Sequence, residues 1–595
     1  MNETINEYDV VIVGGGYSGT MVAVHLARAQ RGLRVALIER AKTPGRGVAY
    51  GTSDPKHLLN VRADQMGAFP DDVGHFYRWL QRHPQNLAAA GIHDLRSDAF
   101  IPRLVFGDYI QDLLREARAL PGTLDVIQDE IIDLQQVKDG RFELTRKSGG
   151  KINAAHVVLA VGNFPPGEAG HNRPWLFNNP YSAEIHKLLA EPGDLLIIGT
   201  GLTSLDVLMT LEKTKREGKI HVISRRGLFP QPHKKAEPYP LFLDRHDLPK
   251  TTRELFRRVV GEIRQAASRG IDWRPVIDSL RPLHQIIWTQ LDVVEQRRFL
   301  RHVQGLWDTH RHRCAPEIMA TKLRLEAEGR LICHQGHIKD YVPLGEQIEV
   351  AYRPRGTDAV EKFNVRRVLS CTGPQSDIRK LNDPLVRQLL TRNLLAPDAL
   401  RMGASTAAGG LIRNQAGDVI NGLYTLGSTQ KGRLYESIAV PELRVQAADL
   451  AARLLEEFNG EDQQEQPPLV DYIEDPRVYM AAERTFLAWV RTGLAFMGLG
   501  FVVARFGYLM REMGLGQAAV DSAQGNGFCL PAGIVLMVAG AMISLYAALR
   551  HRAYIRAVDQ GQFRPAYTLK FAFLMAAFLA VVGLATTFYV AVLKT

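Results

Sequence analysis

YDVVIVGGGYSGTMVAVHLARA, Tyr8 to Ala29, decides the fold of the first domain. An apolar strand, Val10 to Val13, runs into a helix, and Gly14, Gly16 and Gly19 between them make GxGxxG. The glycines permit a tight turn and close backbone approach, so that a pyrophosphate can meet the helix N-terminus. Ser18 belongs to the same loop. A lone glycine motif is weak, but the next strand, RVALIER, ends at Glu39. That is where an acidic side chain accepts ribose hydroxyls in a dinucleotide fold. A second glycine-rich element, GRGVAYGT from Gly45 to Thr52, follows directly, with Arg46 in it a cofactor-binding candidate. A plain NAD domain has no need of it, so the sequence favours FAD here.

The pattern returns in DLLIIGTGLTSLDVLMTL, Asp194 to Leu211, with Gly199 and Gly201 and with Ser204 at the third position. Its following strand, KIHVIS, ends in Arg225 and Arg226 instead of an acid. Arginines at that place suit the 2′-phosphate of NADP, which makes NADPH the expected donor and NADH the alternate. Two dinucleotide sites in one chain predict electron transfer between two cofactors, chemistry that needs no obligatory protein acid or base.

Around these sites the chain to about Leu455 alternates β-rich runs with helical patterns, as α/β proteins do. The net charge of +10 and pI near 9.3 suit nucleic acid, an anionic membrane or an acidic ligand equally. No nucleic-acid module is legible. Cys314, Cys333, Cys371 and Cys529 form no CxxC pair and no metal-ligand spacing, which excludes a dithiol reductase and leaves no metal site expected. The acidic, polar N-terminus lacks the basic n-region of a signal peptide, so the first domain is expected in the cytoplasm.

The motifs GGGYSG, GRGVAYGT, HLLNV (His57 to Val61), FIPRLVFGDY (Phe100 to Tyr109), VLAVGNFP (Val158 to Pro165), GTGLTSLD, WDTHRHR and CTGP resemble the YdhS-like bacterial FAD/NAD(P)-binding proteins. That family is similar in organisation to two-dinucleotide-binding-domain flavoproteins such as glutathione reductase and flavin monooxygenases. The resemblance implies two Rossmann-like domains. A discontinuous FAD domain, 1–165 and 366–455, would enclose an NADP domain at 166–365. VLAVGN and LSCTGP would be the crossover strands, placing Asn60, Gly162 and Gly373 at the cofactors, with Gly427 and Ser428 of GLYTLGSTQKG nearest the isoalloxazine. It implies no reaction. WLFNNPYSAEI, Trp175 to Ile185, stands where N-hydroxylating monooxygenases carry FxGxxxH and does not match it.

Between 245 and 325 the chain reads as a helical insertion rich in Trp and Arg. Helical spacing alone produces a tryptophan core with an arginine surface. WDTHRHR is denser in donors, so His310, Arg311 and Arg313 are candidates for an anionic or aromatic substrate.

EEFNGEDQQEQPP opens an acidic linker, 456–475, ahead of an all-α membrane domain, 476–595. Apolar segments near 486–506, 528–549 and 569–593 approach the roughly 20 residues needed to cross a bilayer. The turn after the second segment holds Arg550, Arg552, Arg556 and Arg564, which predicts that this turn and the N-terminal region face the cytoplasm, with the C-terminus outside. Within ERTFLAWVRTGLAFMGLGFVVARF, Glu483 to Phe506, Arg484, Arg491 and Arg505 recur at heptad spacing and predict a polar seam facing the bundle interior. Arg484 and Arg505 fall near the interfaces, where they can snorkel. The segment resembles the YidH-like three-helix membrane domain, itself similar to the membrane part of the vacuolar transporter chaperone; that resemblance implies a phosphate or polyphosphate ligand for Arg484 and Arg491.

The expected whole is a multi-pass flavoprotein of the bacterial inner membrane passing electrons from NADPH through FAD to a membrane-proximal acceptor such as a quinone. A flavin monooxygenase and a non-enzymatic redox or nucleotide sensor are the alternatives. A homo-oligomer would assemble through the membrane domain.

Overall fold

This computed structural model describes residues 6–166, 173–182, 184–214, 216–458, 476–512 and 529–559. The chain divides into two compact units, Met1–Glu465 and Gln466–Thr595.

The first unit contains two sheets. The strands, in chain order, are β1 (Asn6–Val13), β2 (Arg34–Glu39), β3 (Thr123–Gln128), β4 (Ile131–Gln136), β5 (Phe142–Arg146), β6 (Lys151–Leu159), β7 (Leu176–Phe177), β8 (Leu195–Ile198), β9 (Ile220–Ser224), β10 (Leu331–Leu344), β11 (Gln347–Pro354), β12 (Glu361–Val365), β13 (Arg367–Ser370), β14 (Leu411–Arg413) and β15 (Val419–Thr425). The first sheet runs β14-β15-β6-β1-β2-β3, with β4 and β5 attached beside β6. The second runs β12-β11-β10-β9-β8-β13-β7. In both, a parallel core is built around a central strand, β1 or β8, which feeds a glycine turn and a helix.

Central strands of parallel sheets are covered on both faces and read as apolar runs. Val10, Val11 and Ile12 of β1 are fully buried accordingly, each such side chain contributing about 1.5–3 kcal/mol. Residues of Tyr17–Arg28, Arg103–Arg118 and Val440–Phe458 share one core with β1. The other face packs on the helix Pro384–Thr391. In the second sheet, Ile185–Ala190, Leu202–Lys213 and Pro316–Ala327 cover one face, and β11 with β12 folds back over the other.

The helical insertion is therefore shorter than expected. Ile318 and Leu325 are buried against the second sheet, so the helix Pro316–Ala327 belongs to that domain's own layer. The insertion proper holds the helices between Thr252 and Arg311 around a core of Leu243, Val259, Ile277, Leu280 and Ile287.

The second unit presents two described helices, Pro476–Glu512 and Cys529–Asp559. Their stretches Phe486–Arg505 and Leu530–Arg552 are long and apolar enough to cross a membrane, with mean hydropathy 1.7 and 2.2. The third expected segment, 569–593, lies outside the described residues, as does the linker beyond Phe458. The pair packs through glycines. A Cβ on Gly493 would come within 2.8 Å of the Gly540 carbonyl oxygen, and one on Gly500 within 2.6 Å of that of Gly533. Small residues at heptad spacing let the backbones approach this closely.

The expected inward polar seam lies elsewhere with respect to this pair. Arg491 and Gly493 are two positions apart, about 200° around a helix, so the arginine stripe points away from the glycine contact. Arg491 and Arg505 are exposed, and Arg484 belongs to the same helix.

Candidate functional site: two glycine cradles and the seam between them

Gly14 ends β1 with φ +105°, a conformation that L side chains rarely adopt. A Cβ there would sit 2.8 Å from the Ala160 carbonyl carbon, at the end of neighbouring β6. At Gly19 it would meet the Gly14 carbonyl, Ala160 Cβ and Ile12. The space therefore exists because these positions lack side chains. Glu39 reaches back across the turn, where its Oε2 accepts from Gly15 N at 2.6 Å and its Oε1 from Ala41 N at 2.8 Å. The second glycine element folds over the first, with Gly45 N donating to Gly15 O at 2.6 Å. Arg46 turns away from the cradle into the helix Arg103–Arg118, where Nε bonds Gln111 at 2.9 Å and the guanidinium pairs with Asp108.

Distant segments close the crevice. Ser428 Oγ donates to Gly162 O at 2.9 Å, joining the turn after β15 to the turn after β6. A Cβ on Gly427 would stand 3.4 Å from Ser18 Oγ. Gly427 N donates to Gln446 Oε1 at 3.0 Å, and its carbonyl accepts from Ser437 Oγ at 3.1 Å. The sheet thus brings Gly14, Gly16, Ser18, Gly19, Glu39, Gly162, Gly427 and Ser428 to one end of the parallel strands.

The second cradle repeats this geometry. Gly199 also has φ +105°, and a Cβ there would lie 2.9 Å from the Cys371 carbonyl carbon, at the end of β13. Gly14 N donates to Ile38 O and Gly199 N to Ile223 O, both at 2.8 Å. Ser204 replaces the third glycine and is fully buried, its Oγ bonding Gly201 O at 2.6 Å. That bond satisfies the hydroxyl the substitution introduced. Arg225 is exposed beyond β9, whereas Arg226 donates to His302 O at 2.9 Å and is tied to the insertion. Gly373 has φ +89° just after β13. The two crossover segments touch through Gln375 N and Phe164 O at 3.2 Å.

The motifs HLLNV and FIPRLVFGDY meet each other and the second domain. Leu59 N donates to Ile101 O, and Arg103 N to His57 O, both at 2.8 Å. Arg103 then pairs with Asp206 of the helix Leu202–Lys213 at 3.0 Å. Asp206 is 2% exposed, and Tyr181, from the segment standing in place of FxGxxxH, donates to it at 2.8 Å. Burial would lower the Arg103 pKa, but the Asp206 and Tyr181 oxygens outweigh it and raise the value. His57 bonds Thr210 at 2.9 Å, and Thr210 donates to Asp54 at 2.8 Å. Asn60 offers its carbonyl to His233 Nε2 at 2.9 Å. This polar seam was not singled out in the sequence. Its signal there was an opposite charge in each of two motifs, Arg103 in FIPRLVFGDY and Asp206 in GTGLTSLD.

The insertion holds the loop 432–439, between the Gly427 turn and the helix Val440–Phe458. Trp288 Nε1 donates to Gly432 O at 2.9 Å, and its ring stacks on Tyr435 at 4.7 Å. Buried Glu436 accepts from Trp307, from Arg311 Nε at 3.1 Å, and faces His284 Nδ1 at 2.9 Å. Burial would raise the Glu436 pKa, but the charges of His284 and Arg311 hold it well below the usual carboxylate range. The three substrate candidates are thereby engaged within the protein. Arg311 pairs with Glu436, Arg313 with Asp278, and His310 Nδ1 with Leu306 O at 2.7 Å. Of the three, Arg311 alone joins the Glu436 clasp. Among the described residues no group of His, Cys, Asp and Glu has metal-binding geometry.

Residues 11–164 match the model of a family described as FAD-NAD(P)-binding, and residues 477–557 match a domain of unknown function, DUF202. The chain carries an FAD/NAD(P)-binding domain and a C-terminal DUF202 domain. Among solved structures it is similar to the reduced form of ornithine hydroxylase from Pseudomonas aeruginosa, at 16% identity over 76% of this chain and 99% of that one, with a TM-score of 0.51. It is similar to the FAD-bound cadaverine monooxygenase of desferrioxamine biosynthesis from Erwinia amylovora, at 12% identity, 76% and 94% coverage and a TM-score of 0.52. A Kutzneria ornithine N-hydroxylase with reduced FAD, NADP+ and L-ornithine matches at 14% identity, 76% and 100% coverage and a TM-score of 0.50. These likenesses show the fold, an α/β dinucleotide-binding fold shared with those flavoproteins. The family match gives FAD and NAD(P) as the cofactors of this chain.

Proposed function

We propose that the protein is a membrane-associated oxidoreductase that passes electrons from NADPH through FAD to a membrane-proximal acceptor such as a quinone. The observation that carries the reading is the pair of like-built glycine cradles in one unit, each emptied of side chains beside a neighbouring strand end. Gly14, Gly16, Ser18, Gly19, Glu39, Gly162, Gly427 and Ser428 would hold FAD; Gly199, Gly201, Ser204, Arg225 and Gly373 would hold NADPH. When bound, the pair would supply hydride transfer from NADPH to FAD; two electrons and one proton would then pass to the acceptor, with a second proton from water completing a quinol. The protein's part is positional: Ser437 and Gln446 hold the Gly427 turn, and Arg103–Asp206 joins the two domains. Buried Cys314 and Cys371, with thiols raised by burial, offer no dithiol relay. Two apolar helices and the DUF202 match support the membrane association.

Anaerobic titration of the detergent-solubilised chain with NADPH, then NADH, tests this. Bleaching of a bound flavin band, reversed by a soluble quinone analogue, is expected. A bound flavin that neither nucleotide reduces refutes the oxidoreductase reading and leaves a redox or nucleotide sensor. The second reading, an NADPH-dependent monooxygenase, is favoured by the likeness to the amine hydroxylases. It requires oxygen consumption matched to a hydroxylated product, whereas the quinone reading requires turnover without oxygen.

A further inference from the structure

One face of the insertion takes no part in the clasp. On the helix Thr252–Ser268, Arg253, Arg257 and Arg264 fall within about 40° of one another around the axis. All three are exposed and, among the described residues, none makes a hydrogen bond or ion pair. Phe256 flanks the stripe and is 41% exposed, an unusual place for a phenyl ring.

The neighbouring helix Val293–His302 adds to this surface. Thr252 N donates to buried Glu295 at 2.9 Å and Thr252 Oγ1 to the Glu295 carbonyl at 2.7 Å, which pins the starts of the two helices together. Val293 and Val294, immediately before Glu295, are 37% and 54% exposed. Glu254 is occupied by Arg258 at 2.9 Å, leaving the stripe's positive charge uncompensated.

We propose that this face, Arg253, Phe256, Arg257, Arg264, Val293 and Val294, docks the flavoprotein unit on an anionic lipid surface. Guanidinium groups meet the phosphates while the short apolar side chains enter the headgroup boundary. Charge complementarity selects lipid over a neutral partner, and the same chain carries two helices fit to cross a bilayer, so such a surface is within its reach. The inference rests on the membrane-associated reading above. Docking would hold the flavoprotein unit against the lipid surface, whereas the helices alone would only tether it.

The test uses the full chain with Val294→Cys carrying an NBD fluorophore, in a Cys333→Ser, Cys529→Ala background. The protein is reconstituted into phosphatidylcholine vesicles with or without phosphatidylglycerol, with spin-labelled lipid as quencher. Blue-shifted emission and quenching are expected only with phosphatidylglycerol. Both should vanish near 1 M salt, where the Debye length falls to about 3 Å. Replacing Arg253, Arg257 and Arg264 by glutamine should weaken docking roughly a hundredfold, at about fivefold per arginine. Equal emission in both vesicle types, or no effect of the triple substitution, overturns the proposal. An arginine-dependent response to soluble polyglutamate but not to phosphatidylglycerol also overturns it, in favour of an acidic macromolecule. Resistance to alkaline carbonate extraction reads the helical anchor separately. A chain that extracts yet still responds to phosphatidylglycerol refutes the anchor and keeps the docking face.

Discussion

Asp206→Leu is the most decisive perturbation of the seam between the nucleotide domains. Its carboxylate is 2% exposed, pairs with Arg103 at 3.0 Å and accepts from Tyr181 at 2.8 Å. Arg103 is itself only 14% exposed, so removal of its partner strands a guanidinium away from water. Breaking a buried pair from one side costs about 3–5 kcal/mol, most of it the uncompensated charge. At roughly 1 °C per kcal/mol for a unit this large, the melting temperature should fall by about 3–5 °C. Arg103→Leu/Asp206→Leu should recover most of that loss, because two apolar groups of similar volume leave no charge behind. The assay is a double-mutant cycle followed by flavin release and circular dichroism on heating, so that partial opening between domains is separated from global unfolding. Additive single losses, or a loss under about 1 kcal/mol for Asp206→Leu, refute the buried-pair reasoning and reduce the contact to an exposed one.

The two cradles should fail separately. Gly14→Ala is expected to yield protein without flavin, and Gly199→Ala a yellow protein that NADPH no longer bleaches; absorbance and stopped-flow reduction check both. Glu436→Gln should free the 432–439 loop, lowering the flavin reduction rate while NADPH affinity stays unchanged, a split read from the concentration dependence of reduction. Burial holds the pKa values of His25 and His233 down to about 4, from the usual 6.5. The unfolded chain then binds more protons between those values, so their contribution is complete above pH 6.5 and declines as pH falls toward 4. Thermal melts from pH 7.5 to 4.5 should show the decline, and His25→Leu should flatten it.

Both dinucleotide folds were legible in the amino-acid order because their determinants are local. Each consists of a strand, a glycine turn and a helix contiguous in the chain, and the φ of +105° at Gly14 and Gly199 is a property that glycine carries into any context. Membrane-length helices were equally plain, since mean hydropathy is a sum over neighbours. Site residues from other segments were less visible. Gly162, Gly427 and Ser428 came from family resemblance, and only the sheet order places them beside Ser18.

Partnership of charges was decided by tertiary structure alone. His310, Arg311 and Arg313 have a composition that suits a substrate wall, yet Glu436 and Asp278 reach the two arginines across 125 and 35 residues of chain, while His310 is held locally by Leu306 O. Arg226 was equally available to a 2′-phosphate by position, until the insertion carried the His302 carbonyl to it. An arginine's role depends on which acceptor lies within about 3 Å, and that distance is set by packing between segments far apart in sequence. The same holds in the membrane unit, where heptad spacing placed the arginines on one face but the glycine contact determined which way that face turns from its described neighbour. Local order thus fixes which cofactors the backbone can cradle, whereas the long-range fold determines which side chains remain free to act.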